Sequence, residues 1–358
     1  MQGGGHGYLS SRHGLAVDNV LQFTAVTASG SLVTANKYSN PDLFFALRGG
    51  GGGTFAIVLS ATLKTYPTPQ TTRHTILVSS PASLAPHEGF WSAVAYIHGH
   101  LPRLADEGMA GYFVVVPLNG SLIMTWSFFI YERPPGTATA LFSPIQSHIN
   151  AIYPSLHVSS TEKQFATWQE AYGPNVYPEP VGGNSLLASR FLPRTALENN
   201  FENIRSALVT GFPKAGYGGI VGQLVLAGQV SRNRHLPTAV HPAWRSAYLH
   251  LIITVTWPDD IPISSVLEIR RFNSEVSEGA LDRLALAAGG NDGVGAYFNE
   301  ADAYTKREDA GRLFWGTRYD DLKVLKERWD PEGVFWCHLC IGNEMWAVQE
   351  ECGRLCVA

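Results

Sequence analysis

Long apolar runs and clustered positive charge are both scarce in this chain. No uninterrupted apolar stretch approaches the ~18 residues that indicate a membrane span, so we expect no membrane partner. Lysine and arginine number 26 against 30 aspartates and glutamates, which gives a formal net charge of −4. A protein that follows a nucleic-acid backbone needs a basic stripe, and its absence excludes nucleic acid as a partner.

Cysteine is also scarce, and the four cysteines all lie near the C-terminus at positions 337, 340, 352 and 356. The C-x2-C and C-x3-C spacings superficially resemble a four-thiolate zinc site, but the segment between the pairs is shorter than in the usual zinc ribbon. Disulfides and free thiols are therefore both favoured over zinc, and no metal is expected. The spacing leaves the pairing of Cys337, Cys340, Cys352 and Cys356 open.

Motifs of nucleophilic hydrolysis are missing as well. The chain has no G-x-S-x-G elbow, no H-E-x-x-H helix and no S-x-x-K with supporting partners. Its carboxylates are scattered without an evident acid/base pair. Hydrolysis is therefore a poor description of what this protein does.

What the chain does have is an apolar content of 45% over 358 residues, enough for a sizeable core and for more than one average domain. The mix of glycine-rich, strand-like and helix-like segments divides the chain into three zones, at 1–70, 71–290 and 291–358. Runs of strands with long connections and helices in the middle zone predict an α+β fold, with an antiparallel sheet and helices on one face. We expect a monomer.

Local patterns predict individual elements. Segments 22–27 and 31–35 read as a hairpin, residues 55–63 alternate with the period of a strand, and Asn119-Gly120 indicates a second hairpin. The spacing of Phe90, Trp91, Val94, Ile97 and Leu101 predicts a helix. Further predictions are capping boxes at Thr195/Glu198 and Ser265/Glu268, strands over 220–226 and 249–256, and a helix over 320–329.

Two glycine clusters are the strongest chemical signal. Gly49–Gly53 precedes a strand, so it is neither a Walker loop nor a dinucleotide fingerprint, both of which open a helix. Gly3–Gly7 is the second cluster and contains His6. Glycine lets backbone N–H groups approach a ligand, and two such clusters predict one extended polyanionic ligand, although a bend between strands is the simpler reading of either alone.

The motifs carrying these glycines resemble those of a known family. Gly3-Gly4-Gly5-His6-Gly7, Leu9-Ser10, Gly14-Leu15 and Asp18-Asn19-Val20 are similar to one stretch of FAD-linked oxidases, and Asn40 to Arg48 with the five glycines is similar to another. Ala296-Tyr297-Phe298-Asn299, Trp315-Gly316 and Trp329 to Phe335 resemble the C-terminal segment of the berberine bridge enzymes. The chain thus resembles fungal berberine-bridge-like members of the vanillyl-alcohol-oxidase/p-cresol-methylhydroxylase (PCMH) flavoproteins.

The resemblance implies a remnant of a PCMH-type FAD-binding domain in residues 1–70, a substrate domain in 71–290 and a segment returning to the FAD domain in 291–358. It implies FAD as the cofactor, a small-molecule substrate and dioxygen as a partner. Tyr297 is the implied catalytic residue, as a proton acceptor or a hydrogen-bond donor near the flavin. The implied cofactor-binding residues are Gly4, Gly5, His6, Gly7, Asp18, Asn19, Gly51, Gly52, Phe55, Ile57, Val58, Asn299 and Tyr319.

Departures from the family pattern carry further expectations. The loop with the histidine that often bonds FAD covalently has no counterpart here, and the cysteine used by some members would precede Met1. We therefore expect an N-terminally truncated chain, in which any FAD is bound non-covalently. Arg318 and Asp321 replace the usual Asn and Arg. The alternative function is a non-catalytic fragment that binds a small molecule, and secretion is favoured if a signal peptide has been lost.

Overall fold

A computed structural model describes residues 1–84, 87–173, 182–214, 217–286, 294–349 and 354–357. Its first part is a small antiparallel sheet with strand order β2-β1-β3. The strands and the two helices beside them are α1 (Ser10–His13), β1 (Val20–Thr27), β2 (Leu32–Asn36), α2 (Pro41–Leu47) and β3 (Ala56–Leu63). Both the hairpin and the strand predicted for this region are confirmed.

The second sheet has seven antiparallel strands in the order β7-β4-β6-β5-β9-β10-β8. Its strands are β4 (Thr71–Ser80), β5 (Ala110–Leu118), β6 (Ser121–Tyr131), β7 (His157–Phe165), β8 (Asn184–Pro193), β9 (Tyr217–Leu224) and β10 (Ala247–Trp257). Asn119 and Gly120 join β5 to β6 with φ values of 50° and 80°, as a tight hairpin turn requires. The predicted antiparallel sheet is confirmed.

Helices follow and separate these strands. They are α3 (Glu88–Asp106), α4 (Thr137–Ile152), α5 (Trp168–Tyr172), α6 (Arg194–Leu197), α7 (Phe201–Gly211), α8 (Gln229–Arg232), α9 (Ile263–Arg271) and α10 (Glu278–Leu286), with a π-helical turn at Phe272–Ser277 before α10. We refer to β4–β10 with α3–α10 as the seven-stranded lobe.

The core of this lobe lies between one face of the sheet and the helices. The predicted apolar face of α3 is buried throughout, and the rings of Trp126 and Phe128 from β6 stack at 4.3 Å beneath it. Burying side chains of this size stabilises the fold by roughly 1.5–3 kcal/mol each. The opposite face of the sheet is turned toward the N-terminal glycine segment, which leaves β5, β9 and β10 free to present polar side chains there.

The two predicted capping boxes are wrong. Helix α7 begins after Asn200, because the chain bends at Glu198 in an extended conformation and ends the short α6 first. Helix α9 begins after Pro262, which places Ser265 inside its first turn rather than at its cap. In both places a neighbouring residue starts the helix.

The C-terminal region packs against the small sheet. It contains α11 (Arg307–Trp315), α12 (Tyr319–Trp329) and a two-stranded ribbon of β11 (Trp346–Val348) and β12 (Leu355–Val357). Phe314, Trp315 and Leu322 share one core with Phe23 and Leu43. The outer parts of the chain therefore fold onto each other, while the exact three-zone boundaries stay a prediction.

The cysteine question is settled in part. Cys337 and Cys340 form a disulfide, Cys356 is a thiol, and Cys352 lies outside the described residues. In the described ranges, three or more potential metal ligands never come together in one place. None of the helices in the same ranges has both the length and the apolar character needed to cross a membrane.

Candidate active site

The N-terminal glycine segment lies against the polar face of the seven-stranded sheet. Gly4 and Gly5 have φ values of 138° and 78°, in the region that favours glycine. Their carbonyls accept hydrogen bonds from Val17 (3.1 Å) and Ala16 (2.7 Å). A Cβ on Gly4 would lie 3.0 Å from the indole of Trp244, so the backbone itself forms the wall of the site.

His6 follows these glycines and joins two residues that are distant in sequence. Its Nδ1 lies 2.9 Å from the hydroxyl of Tyr112, and its Nε2 lies 3.1 Å from Oε1 of Glu300. The second carboxylate oxygen of Glu300 accepts a 2.7 Å hydrogen bond from Gln223, whose own carbonyl oxygen lies 3.0 Å from Nδ1 of His250. We call these five residues the histidine–glutamate network.

Sheet register explains how three members of the network meet. Tyr112 on β5 pairs directly with Gln223 on β9, and Gln223 pairs with His250 on β10. Directly paired residues of adjacent antiparallel strands project on the same face, so these three side chains form a row across the sheet. Glu300 reaches that row from a 3-10 turn at Phe298–Glu300.

Burial and hydrogen bonds fix the charges in the network. Burial alone would raise the pKa of Glu300, but the hydrogen bonds that it accepts from His6 and Gln223, with the neighbouring ring of His250, hold it below its ordinary value. Complete burial lowers the pKa of His250 to about 3. At neutral pH the network therefore contains a carboxylate at Glu300 and a neutral imidazole at His250.

Tyr297 lies beside the network, in edge-on contact with His6 at a centroid distance of 5.6 Å. Its hydroxyl oxygen accepts hydrogen bonds from Nδ2 of Asn299 (2.8 Å) and from the backbone N–H of Gly5. Burial raises the pKa of Tyr297. The phenol thus keeps its proton at neutral pH, with both lone pairs used, and is placed to donate. The expectation that Tyr297 itself accepts a proton is not favoured by these surroundings.

Aromatic rings enclose the network on its other sides. The ring of Tyr8 lies 4.4 Å from that of Tyr112, and Trp168 and Tyr172 lie within 5.7 Å of Tyr8. Trp244 contacts the ring of Tyr297 edge-on at 5.0 Å. These walls lower the local dielectric, which strengthens each hydrogen bond of the network.

The second glycine cluster adjoins the first. The backbone N–H of Gly51 donates to the carbonyl of Gln2 at 3.0 Å, and a Cβ on Gly52 would meet only Gln2 Oε1, at 4.0 Å. Within the described residues, Nε2 of Gln2 is buried without a hydrogen-bond partner. An unpaired buried donor beside open glycine backbone is the arrangement expected where a polar ligand completes the site.

Four predicted cofactor residues have partners within the protein, and their contact with FAD stays a prediction. Asp18 forms a buried bidentate ion pair with Arg245, at 2.7 and 2.8 Å. Asn19 bonds the carbonyls of two nearby residues and the hydroxyl of Tyr66. Phe55 is fully buried in the core, and the hydroxyl of Tyr319 bonds Glu344 and Gly342. Their contacts give these side chains structural roles.

The remaining predicted residues are placed in three ways. Gly4, Gly5, His6, Tyr297 and Asn299 come together at the network, and Gly51 and Gly52 lie beside it through Gln2. Gly7 donates its N–H to Ser10 Oγ at 2.9 Å. Ile57 is 55% exposed and Val58 is half-buried on β3, just beyond the glycine loop.

Four members of the network were not singled out as site residues from the sequence. Tyr112, Gln223 and His250 each interrupt an apolar strand with a polar group, which is a usable signal because such a group needs a buried partner. Glu300 follows Asn299 in an aromatic and amide cluster. None of the four carries a spacing motif, since strand pairing rather than sequence distance brings them together.

A cavity of about 500 Å³ lies elsewhere, lined by Val255, Trp257, Ile261 and Phe272 among others. It sits at the far end of β10 from His250, on the helix-covered side of the sheet. It shares no residue with the network.

Known proteins resemble the chain across its whole length. A sequence model described as "Berberine and berberine like" matches residues 296–342. An FAD-linked oxidoreductase of Arthroderma benhamiae is 33% identical over 98% of this chain and 60% of its own length. Over nearly all of its own length, this chain is similar to fungal berberine-bridge-like flavoproteins. FAD-linked oxidoreductase ZEB1 of Gibberella zeae is 32% identical over 99% of this chain and 59% of the relative.

A solved structure agrees with this assignment. The VAO-type flavoprotein MtVAO713 of Myceliophthora thermophila C1 superposes with a TM-score of 0.89 and 28% identity, over 100% of this chain and 62% of that protein. The α+β fold of a VAO-type flavoprotein, expected from the sequence, is therefore confirmed. The chain spans about 60% of the length of the curated relatives that it matches.

Proposed function

We propose that this chain is an FAD-dependent oxidoreductase, which removes hydride from a carbon of a small organic molecule with dioxygen as the electron acceptor. The observation that carries the proposal is the position of a proton-handling network directly beside two adjoining glycine segments. Oxidation of an alcohol or amine requires both a hydride acceptor and a group that takes a proton. The relatives named above, which are FAD-linked oxidoreductases, support the same class.

The residues present fit FAD. Gln2 offers an unpaired buried donor, and Gly52 offers backbone without a Cβ in open space. Together with Gly3–Gly5 and Asn299, these groups would hold a flat, polar ring system. When bound, FAD supplies the hydride acceptor.

The chain's own residues supply positioning and proton handling. Tyr297 keeps its proton and points it away from Asn299 and Gly5, so we assign it to hydrogen-bond the reacting oxygen of the substrate. A donor already held in place costs little reorganisation when charge develops on that oxygen. The aromatic walls of Tyr8 and Trp244 exclude water from the same place.

The second candidate is a small-molecule binding module without redox activity. It is favoured by the share of the relatives' length, about 60%, that this chain spans. Under that proposal the network and the aromatic walls bind a ligand, and FAD does not bind. The two candidates therefore differ in one measurable property.

The decisive experiment is to incubate the purified chain with FAD, pass it over a desalting column and record the visible spectrum of the protein fraction. Flavin absorbance should remain with the protein. Gly52→Val should abolish it, because the new side chain occupies the open space beside Gln2, where a Cβ meets only Gln2 Oε1, at 4.0 Å. Gly183→Val is the matched control, since a Cβ at Gly183 meets nothing within 4 Å.

Acid precipitation of the loaded chain should then release the yellow colour, because both ring nitrogens of His6, the first suspect for a covalent bond, are already hydrogen-bonded. A folded chain that retains no flavin, as judged by circular dichroism and the spectrum together, contradicts the oxidoreductase proposal and favours the binding module.

A further inference from the structure

We propose that Tyr112, His6 and Glu300 form a proton relay in which Tyr112 contacts the substrate hydroxyl and His6 receives the proton. The inference rests on the proposed oxidoreductase function and identifies the residues that handle the proton in it. Tyr112 is the catalytic residue in this scheme, because it touches the substrate. His6, Glu300, Gln223 and His250 act through it.

With the His6 ring neutral, the hydrogen-bond directions in the network have one consistent solution. A carboxylate only accepts hydrogen bonds, so Gln223 turns its amide nitrogen toward Glu300 and its carbonyl oxygen toward His250. The Nδ1 of His250 must therefore carry the proton that it donates to Gln223. These two buried residues, 5% and 0% exposed, hold one oxygen of Glu300 in place.

The other oxygen of Glu300 fixes the tautomer of His6 by the same reasoning. Its Nε2 donates to the carboxylate at 3.1 Å, so in the neutral ring Nδ1 carries no proton. Tyr112 must then donate its hydroxyl proton to Nδ1, at 2.9 Å. The lone pairs of the Tyr112 oxygen are left to accept a proton from a third group.

A substrate hydroxyl next to Tyr112 completes the relay. As the O–H bond of the substrate breaks, its proton joins the Tyr112 oxygen, and the proton that Tyr112 held moves to Nδ1 of His6. The electron pair stays on the substrate oxygen, and His6 becomes an imidazolium facing the carboxylate of Glu300. The pair of charges lies at hydrogen-bond distance, which is the arrangement that stabilises a buried imidazolium.

Burial explains why both protons must move together. It raises the pKa of Tyr112, so the phenolate is not a resting state of this residue. Tyr112 can pass its proton to His6 only while it gains another. Tyr297, protonated and donating nearby, then supports the negative charge that grows on the substrate oxygen.

The test reads the protonation pattern of His6 directly and needs no flavin. The full chain, labelled with ¹⁵N-histidine, gives signals from 12 histidines, and His6→Gln identifies the signals of His6 by their loss. At neutral pH we expect the ¹⁵N shift of a bare nitrogen at Nδ1 and of a protonated nitrogen at Nε2. Glu300→Gln should produce a mixture of the two tautomers.

Removing the hydroxyl of Tyr112 should change one signal. In Tyr112→Phe the Nδ1 resonance should shift to that of a nitrogen without a hydrogen bond, while Nε2 stays protonated. Tyr153→Phe is the control, because it removes a phenol hydroxyl from the same lobe, at the end of α4 and outside the network. A proton on Nδ1 of the unmodified chain, or an unchanged Nδ1 signal in Tyr112→Phe, overturns the relay.

The kinetic arm uses the FAD-loaded chain with benzyl alcohol, D-glucose and xylobiose as probes. With any probe that reduces the flavin, Tyr112→Phe should slow reduction by about 100-fold, the usual scale of general acid–base catalysis. A Tyr112→Phe rate equal to that of Tyr153→Phe overturns the relay. Failure of all three probes, or of FAD to bind, counts against the proposed function, while the tautomer of His6 still decides the relay.

Discussion

The seven-stranded lobe and the three-stranded sheet bury their apolar side chains in different ways. In the lobe, helices cover one face of the sheet and the other face meets the glycine segment, so its large apolar side chains lie inside. The small sheet buries its inner face against α2, α11 and α12, but its outer face exposes Leu21, Leu32, Ile57, Leu59 and Leu63 by 42–67%. Stability and chemistry are thus divided between the two regions, with the site at their junction.

The largest expected effect is a loss of folding stability at acidic pH. Burial lowers the pKa of His74, His98 and His241 to about 4 and that of His250 to about 3. Below the ordinary histidine pKa, near 6.5, the unfolded chain binds these four protons and the folded chain does not, so stability falls as pH falls. Glu278, whose pKa burial raises to about 7, has the opposite sign between pH 7 and 4.5.

A net difference of about three protons gives a loss of roughly 4 kcal/mol per pH unit between pH 6 and 4.5. Urea unfolding at several pH values measures it, and hydrogen exchange should show the loss first in the lobe, which holds three of the four histidines. His98→Leu should reduce the slope by about a quarter to a third, whereas the exposed His157→Gln should leave it unchanged. A flat profile between pH 6 and 4.5 would contradict the assignment of these rings as neutral.

The next largest effect tests the connection between the two regions. Asp18, at the start of the small sheet, and Arg245, before β10 of the lobe, form an ion pair whose side chains are 1% and 9% exposed. Arg245→Met should cost about 3–5 kcal/mol, because it leaves a buried carboxylate without its partner. The double variant with Asp18→Asn should recover part of that loss, and urea unfolding measures both. Equal stability of Arg245→Met and the unmodified chain would refute the role assigned to this pair.

The smallest effect concerns the exposed face. Leu59→Ser should change the free energy of unfolding by less than about 0.5 kcal/mol, because the side chain is 59% exposed. Phe23→Ala, on the buried face of the same sheet, should cost about 3–5 kcal/mol and serves as the contrast. A loss above about 1 kcal/mol for Leu59→Ser would show that this face is covered in solution.

Sequence patterns predicted the elements that local chemistry decides. The Asn119-Gly120 turn, the alternation in β3 and the apolar face of α3 all depend on residues a few positions apart, and all three are present. The capping boxes at Thr195 and Ser265 failed because the tertiary path of the chain, through Glu198 and Pro262, decides where the helix begins.

The site residues also divide into those that local motifs predict and those that strand pairing brings together. His6, Tyr297 and Asn299 belong to motifs and could be predicted as site residues, and they do come together. Tyr112, Gln223 and His250 meet through strand register, and Gln223 lies 77 positions before its partner Glu300, a separation that no local pattern relates. Asp18 shows that a motif residue can also have a structural role: it pairs with Arg245, and its contact with the cofactor stays a prediction.

Lys326 has a consequence for how the chain folds during translation. Its buried ammonium group donates to the carbonyls of Thr54 and Phe335 and to Asp330, so it closes the end of the Gly49–Gly53 loop from a position 272 residues further along. At a synthesis rate of about 5–20 residues per second, roughly 15 to 55 seconds pass between the emergence of Thr54 and that of Lys326. During translation the part of the inner face that α11 and α12 cover must therefore stay exposed until Lys326 has left the ribosome.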